Sequence, residues 1–109
     1  MKKWEIRNYP IPSEDDPHPF VIFSPSALCG DDRRKDVNGL MCTSLRPDMQ
    51  VKDFQVRLNG NDGLDGPTVV DCSFTYILRK NKAGPVRGTV TQVRRQKITQ
   101  LVCRVIQSD

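Results

Sequence analysis

Pro19-Phe20-Val21-Ile22-Phe23-Ser24-Pro25 sets four large apolar side chains between a proline and a Ser-Pro pair. A run this short, closed by residues that interrupt regular structure, is expected of a strand buried on both faces. Upstream, Trp4-Glu5-Ile6-Arg7-Asn8-Tyr9 alternates large apolar with polar residues, the period of a strand with one face in the core. Residues 10–19, between the two, hold four prolines and the acidic triplet Glu14-Asp15-Asp16. Proline fixes φ and lacks the N–H that a ladder needs, so this stretch is expected to be a long exposed loop, outside any ladder strand or helix interior.

Downstream, residues 29–36 form a polar, glycine-containing excursion, residues 37–43 read as a third strand, and Arg46-Pro47-Asp48 marks a turn. Phe54-Gln55-Val56-Arg57-Leu58 alternates again before Asn59-Gly60-Asn61-Asp62-Gly63, which is dense in turn-forming residues. Thr68-Val69-Val70-Asp71 and residues 73–79 are rich in β-branched and aromatic side chains, as extended segments are. The period then changes. From Thr91, an expected N-cap, apolar residues fall at Ile98, Leu101, Val102, Val105 and Ile106, three and four apart on one face of an amphipathic helix docked on the sheet. Five to seven short strands with a C-terminal helix make a mainly β chain, whose natural closure is a small, strongly bent antiparallel sheet or barrel.

At 109 residues the chain is expected to be one domain, 1–109, burying a modest core without metal or disulfide staples. No apolar run approaches the roughly 18 to 20 residues of a membrane-spanning helix. Met1-Lys2-Lys3 passes directly into Trp4, Glu5 and Arg7 without the apolar segment of a secretory signal, so a cytoplasmic location away from membranes is expected. Cys29, Cys42, Cys72 and Cys103 are widely spaced and form no Cys-x-x-Cys or Cys-x-x-His pair. Cys42, Cys72 and Cys103 lie in or beside apolar runs, where a reduced thiol behaves as a small buried hydrophobe. With one histidine in the chain there is no His-rich metal centre, and neither metal nor cofactor is expected. The net charge of +4 and pI near 9.0 suit a polyanionic partner without identifying one. The basic residues cluster as Arg33-Arg34-Lys35, as Arg79-Lys80-Asn81-Lys82, and as Arg87 with Arg94-Arg95.

The order of these segments resembles the PemK/MazF toxin ribonucleases over nearly the whole chain. Members of that family have an entry loop ending in Arg-Pro, then a strand ending in Ser-Pro or Thr-Pro, which resembles residues 19–25. A strand ending in Thr-Thr or Thr-Ser follows, matched by Leu40-Met41-Cys42-Thr43-Ser44. An alternating strand, a glycine-rich turn and a Gly-x-Val-Val segment before an aspartate come next, similar to Gly66-Pro67-Thr68-Val69-Val70-Asp71, and Gly88-Thr89-Val90 fits the segment before the final helix. The chain departs from the pattern at His18, where the family usually places an arginine before the proline, and at Val69, where some members carry an arginine.

The resemblance implies a small SH3-like antiparallel β-barrel of the PemK/MazF/CcdB type and a toxin of a type II toxin-antitoxin system. It implies sequence-selective, metal-independent cleavage of single-stranded RNA, the 2′-hydroxyl attacking its own phosphate to leave a 2′,3′-cyclic end. That reaction needs a base, an acid, and donors or cations where charge builds on phosphorus. His18 is the acid-base candidate, because an imidazole both takes and gives a proton near neutrality, although a lone histidine on a proline-rich loop is more often simply solvated. Thr43 matches the family threonine that contacts the scissile phosphate, with Ser44 as a neighbouring donor and Arg46 as the candidate for the missing cation. Asp71 matches the family aspartate near the site. Arg33, Arg34 and Lys35, with Arg79 and Lys80, are the expected RNA-binding cations. Phe20 and Phe54 are candidates for stacking on a base, with the core as the ordinary destination of both. The resemblance also implies a homodimer with the RNA groove near its seam, and an antitoxin whose acidic, partly disordered tail fills that groove.

Two other classes stay open. One is the same barrel lapsed into a nucleic-acid or protein binding module through loss of the arginine. The other is a gyrase poison of the CcdB type, ranked lowest because the chain ends in Gln107-Ser108-Asp109 where that family carries an apolar-aromatic tail.

Overall fold

A computed structural model describes residues 1–107; Ser108 and Asp109, on which part of the comparison with the CcdB tail rests, lie outside the described residues. Seven strands appear: β1 (Glu5–Tyr9), β2 (His18–Ile22), β3 (Asp36–Ser44), β4 (Gln55–Leu58), β5 (Thr68–Asp71), β6 (Tyr76–Arg79) and β7 (Val86–Thr89). Two α-helices, α1 (Ser26–Cys29) and α2 (Gln92–Gln107), and two 3-10 turns, Gly60–Asp62 and Lys80–Lys82, complete the order. All pairings are antiparallel, in the order β4-β5-β3-β2-β1-β7, with β6 also paired to β3.

The long strand β3 explains the bend. Its first half, Asp36 to Gly39, pairs with β6, and its second half, Cys42 to Ser44, pairs with β5. One strand thus belongs to two differently directed surfaces, and the sheet curls into a half-barrel. Side chains alternate across it. Val21, Leu40 and Cys42 face one core, closed by Ile98 and Val102 of α2, while Phe20, Ile22 and Leu78 face a second under α1. Full burial of Ile98 and Val102 stabilises the docked helix by about 1.5–3 kcal/mol each.

Several elements differ from the sequence expectation. Pro19 stands inside β2, paired with Asn8. The ladder tolerates it because β3 joins β2 only from Phe20 onward, so at Pro19 one side of the strand is open and no bond is lost there. Phe23 falls outside the strand, its ring edge-on to Trp4 at 5.5 Å. The segment expected from residue 73 pairs only from Tyr76, because the Asp71 carboxylate draws the Ser73 N–H (2.8 Å) and hydroxyl (2.6 Å) into a local turn. Ile106 is 76% exposed, so the apolar face of α2 ends a turn earlier than its spacing suggests. Among the thiols, Cys29, Cys42 and Cys72 are buried, and Cys103 is exposed on α2.

The turn after β4 locks the open end of the half-barrel. Gly63 adopts φ of +87°, and a Cβ there would lie 2.8 Å from the Gly88 Cα, so only glycine allows this turn to lie against β7. A Cβ on Gly88 would fall 2.0 Å from the Asp62 carbonyl oxygen. The Asp62 side chain is buried and accepts the Thr91 N–H at the start of α2 (2.8 Å) and the Asn59 N–H (3.0 Å), while Arg94 of α2 pairs with it. Thr91 supplies its carbonyl to the N–H groups of Arg94 and Arg95, which sets it at the N-cap position.

Candidate functional site

His18 opens β2, and Thr43 and Ser44 end β3. The β2–β3 register begins at Phe20 with Met41, and His18 and Thr43 each lie two residues beyond that pair. Both line a cleft of about 660 Å³ together with Ser44, Arg46, Asp65 and Arg87. Four chain segments, around residues 17–19, 42–49, 64–68 and 87, build its walls. The Leu45 N–H donates to the Pro67 carbonyl (3.0 Å), fixing the end of β3 to the loop before β5. The Met49 N–H closes the turn over Arg46 through its carbonyl (3.0 Å). Arg87 reaches in from β7, with Nη2 donating to Asp65 Oδ2 (3.0 Å) and Nη1 to Asn8 Oδ1 (3.4 Å).

Pro17 and Pro19, both with fixed φ, flank His18 and restrict where its ring can point. Its Nε2 contacts Oε2 of Glu14, four residues back on the entry loop. Thr43, Ser44 and Arg46 are exposed in the cleft, ready to offer two hydroxyl donors and a guanidinium to an anion. The cleft therefore has one group able to exchange protons, two neutral donors and two cations around a space open to solvent. Among the described residues no three of His, Cys, Asp or Glu gather as a metal site. No helix of the described residues is long and apolar enough to cross a membrane.

Other candidates fall elsewhere. Asp71 is at the far end of β5 from the cleft-lining Thr68, about 10 Å away at strand rise, with its carboxylate held by Ser73. It does not join the cleft. Phe20 is 2% exposed, and a ring buried in the core cannot stack on a base; Phe54 is half-buried beside Lys52. Arg33, Arg34, Lys35, Arg79 and Lys80 line two other depressions, of about 420 and 520 Å³, that share no residue with the His18 cleft. Lys80 has a structural task there: its Nζ donates to the carbonyls of Leu28 and Asp31, both at 2.8 Å, satisfying the end of α1. Arg33 is engaged by Asp31, and its guanidinium and N–H hold that carboxyl below the usual range. Arg79 pairs with Asp36 at 4.0 Å. Arg34 and Lys35 are exposed.

Asp65 and Arg87, which line the cleft, and Glu14, which contacts His18 from the entry loop, are residues that sequence reasoning missed. Arg87 was visible as part of a basic cluster, but only the β1–β7 pairing brings it near His18.

No family model and no curated protein sequence matches the chain. Solved structures do. An endoribonuclease in complex with its cognate antitoxin, from a mycobacterial species, superposes with a TM-score of 0.82 at 19% identity, over 100% of this chain and 97% of that one. The toxin MazF-mt6 of Mycobacterium tuberculosis gives 0.79 at 16% identity, over 96% and 98%. The MazE-MazF structure from Deinococcus radiodurans gives 0.78 at 14% identity, over 100% and 97%. Likeness of this extent at such low identity is a likeness of backbone path, and by that path the chain has the fold of the PemK/MazF toxins.

Proposed function

We propose that this chain is the toxin of a type II toxin-antitoxin pair, a metal-independent and sequence-selective endoribonuclease acting on single-stranded RNA. The observation that carries the reading is the meeting of His18, Thr43, Ser44 and Arg46 in one open cleft, on a fold shared with a solved endoribonuclease.

In this mechanism RNA enters the cleft with a phosphate against Thr43 and Ser44, whose hydroxyls donate to its non-bridging oxygens without adding charge. Arg46 and Arg87 balance the charge that grows on phosphorus, the role an arginine at position 18 would otherwise share. The His18 imidazole takes the proton of the 2′-hydroxyl. The 2′-oxygen bonds to phosphorus, the bond to the 5′-oxygen breaks, and that oxygen regains a proton, leaving a 2′,3′-cyclic phosphate and a 5′-hydroxyl. Arg34 and Lys35, outside the cleft, attract the backbone of the strand in a salt-dependent way. The active unit is a cytoplasmic homodimer of single-domain chains, 1–109, and an antitoxin with an acidic tail neutralises the same cations.

The test is incubation of the purified protein with mixed single-stranded RNA in the presence of a chelator, reading fragment ends. Cyclic-phosphate ends at a recurring short motif are expected. His18 in place of the family arginine favours one second reading, a barrel that binds RNA without cutting it. Retardation of RNA with no fragments at any protein concentration would establish that reading instead.

A further inference from the structure

We propose that Glu14 is the positioning residue of the candidate site: its carboxylate accepts the Nε2–H of His18, so that Nδ1 carries the lone pair offered to the substrate. The proposal rests on the nuclease reading for its catalytic consequence, but the arrangement itself stands on geometry. Glu14 Oε2 and His18 Nε2 are in direct contact, and an imidazole has only two nitrogens. With one engaged by a carboxylate, which accepts and cannot donate, the proton is fixed on Nε2 and the neutral ring keeps an unprotonated Nδ1.

The loop is built to hold this contact. The Glu14 N–H donates to the Ile11 carbonyl (3.0 Å), closing a turn, and Ile11 packs against the core cluster that contains Phe20. Glu14 is thus anchored through Ile11 on one side, and His18 is anchored through β2 and its flanking prolines on the other. The charged groups otherwise lining the cleft are Arg46, Asp65 and Arg87, and Arg87 is already engaged by Asp65. Glu14 is the only carboxylate in contact with the ring among the described residues. In the cleavage step the 2′-hydroxyl proton passes to Nδ1, the new 2′-oxygen–phosphorus bond replaces the bond to the 5′-oxygen, and the 5′-oxygen takes up a proton from water. The imidazolium formed then returns its Nδ1 proton to solvent, and the Glu14 carboxylate stabilises that cation while it lasts. Without Glu14 no acceptor singles out Nε2, and either nitrogen carries the proton.

An exposed Glu–His pair has a plain alternative, a surface contact of negligible consequence. Three measurements separate the two. The sole histidine gives one set of ring ¹⁵N signals in the full chain, so they need no assignment. The expected result is a protonated Nε2 with a slowly exchanging proton in the wild type and fast exchange in Glu14→Ala. In steady-state cleavage, Glu14→Ala should lower kcat by about 10- to 100-fold with KM nearly unchanged, and Glu14→Gln, which keeps an acceptor oxygen, should recover part of the loss. Asp15→Ala, removing the same charge next door, should leave both constants unchanged. Identical ring spectra in the wild type and Glu14→Ala would overturn the proposal, as would a loss lying wholly in KM or an equal loss in Asp15→Ala. A wild type that cuts no RNA would remove the nuclease reading, and the ring spectra would still decide whether Glu14 orders His18.

Discussion

Replacing Asp62 by alanine should cost this fold about 3–5 kcal/mol, the usual penalty for breaking a buried ion pair by removing one partner. The magnitude follows from what the carboxylate holds. Its side chain is wholly buried, and it accepts the Thr91 N–H at the start of α2 and the Asn59 N–H in the turn after β4. Removal orphans both donors, each worth roughly 1–3 kcal/mol when left without a partner. It also leaves Arg94, whose side chain is only 21% exposed, with Asn59 as its remaining acceptor. These terms overlap, because water entering the vacated space would serve several of the groups, so the sum is not additive and the lower range applies. Asp62→Asn retains an acceptor oxygen and should lose roughly half as much. The assay is urea unfolding followed by far-ultraviolet circular dichroism, comparing midpoints at an unchanged slope. A loss below about 1 kcal/mol for Asp62→Ala would refute the reasoning, since a surface carboxylate behaves that way.

Other outcomes follow from the same geometry. Gly88→Ala should prevent correct folding or lower the unfolding midpoint more than Asp62→Asn does, because its Cβ would meet the Asp62 carbonyl oxygen at 2.0 Å; a midpoint near that of the wild type would show that the turn can move aside. Burial pushes the Cys42 and Cys72 thiols up to about 12 from 9.0. The unfolded chain therefore loses protons that the folded chain keeps, and stability should fall as pH rises from about 9 towards 12, which denaturant midpoints across that window would reveal. In the native protein at neutral pH a thiol reagent should modify the exposed Cys103 first, with mass spectrometry finding Cys29, Cys42 and Cys72 unmodified at one equivalent. Arg87→Ala should reduce cleavage by about 10-fold or more at saturating RNA if its guanidinium meets charge that develops on phosphorus, and binding alone should suffer if it meets only the ground state.

The strands were legible because their residues report burial directly. Trp4 to Tyr9 alternates in sequence, and Phe20 to Ile22 is buried throughout, as a continuous apolar run requires. Proline misled at position 19, where the loss of an N–H matters only if a neighbour is there to receive it, and the neighbour starts one residue later. The spacing of Ile106 matched a helical face, but a face is buried only as far as something covers it, and Ile106 is left exposed. His18 and Thr43 were legible as candidates from their place in the order of segments, and Ser44 and Arg46 from their nearness to Thr43 in sequence; one cleft is lined by all four. Arg87 and Glu14 were not, because a contact between residues 8 and 87 depends on which strands pair, and a contact between residues 14 and 18 depends on a loop held by Ile11. Lys80 shows the reverse case: basic composition suggested a phosphate contact, and the backbone carbonyls of Leu28 in α1 and of Asp31 just after it take its ammonium.

The most direct test of the central claim compares His18→Ala and wild-type protein on one single-stranded RNA, measuring binding and cleavage side by side. With His18 as the proton acceptor, the variant should bind RNA within a fewfold of the wild type and cut it at least about 100-fold more slowly, the usual share of a general base. Cleavage at the wild-type rate by His18→Ala would contradict the claim, whatever the fold resembles.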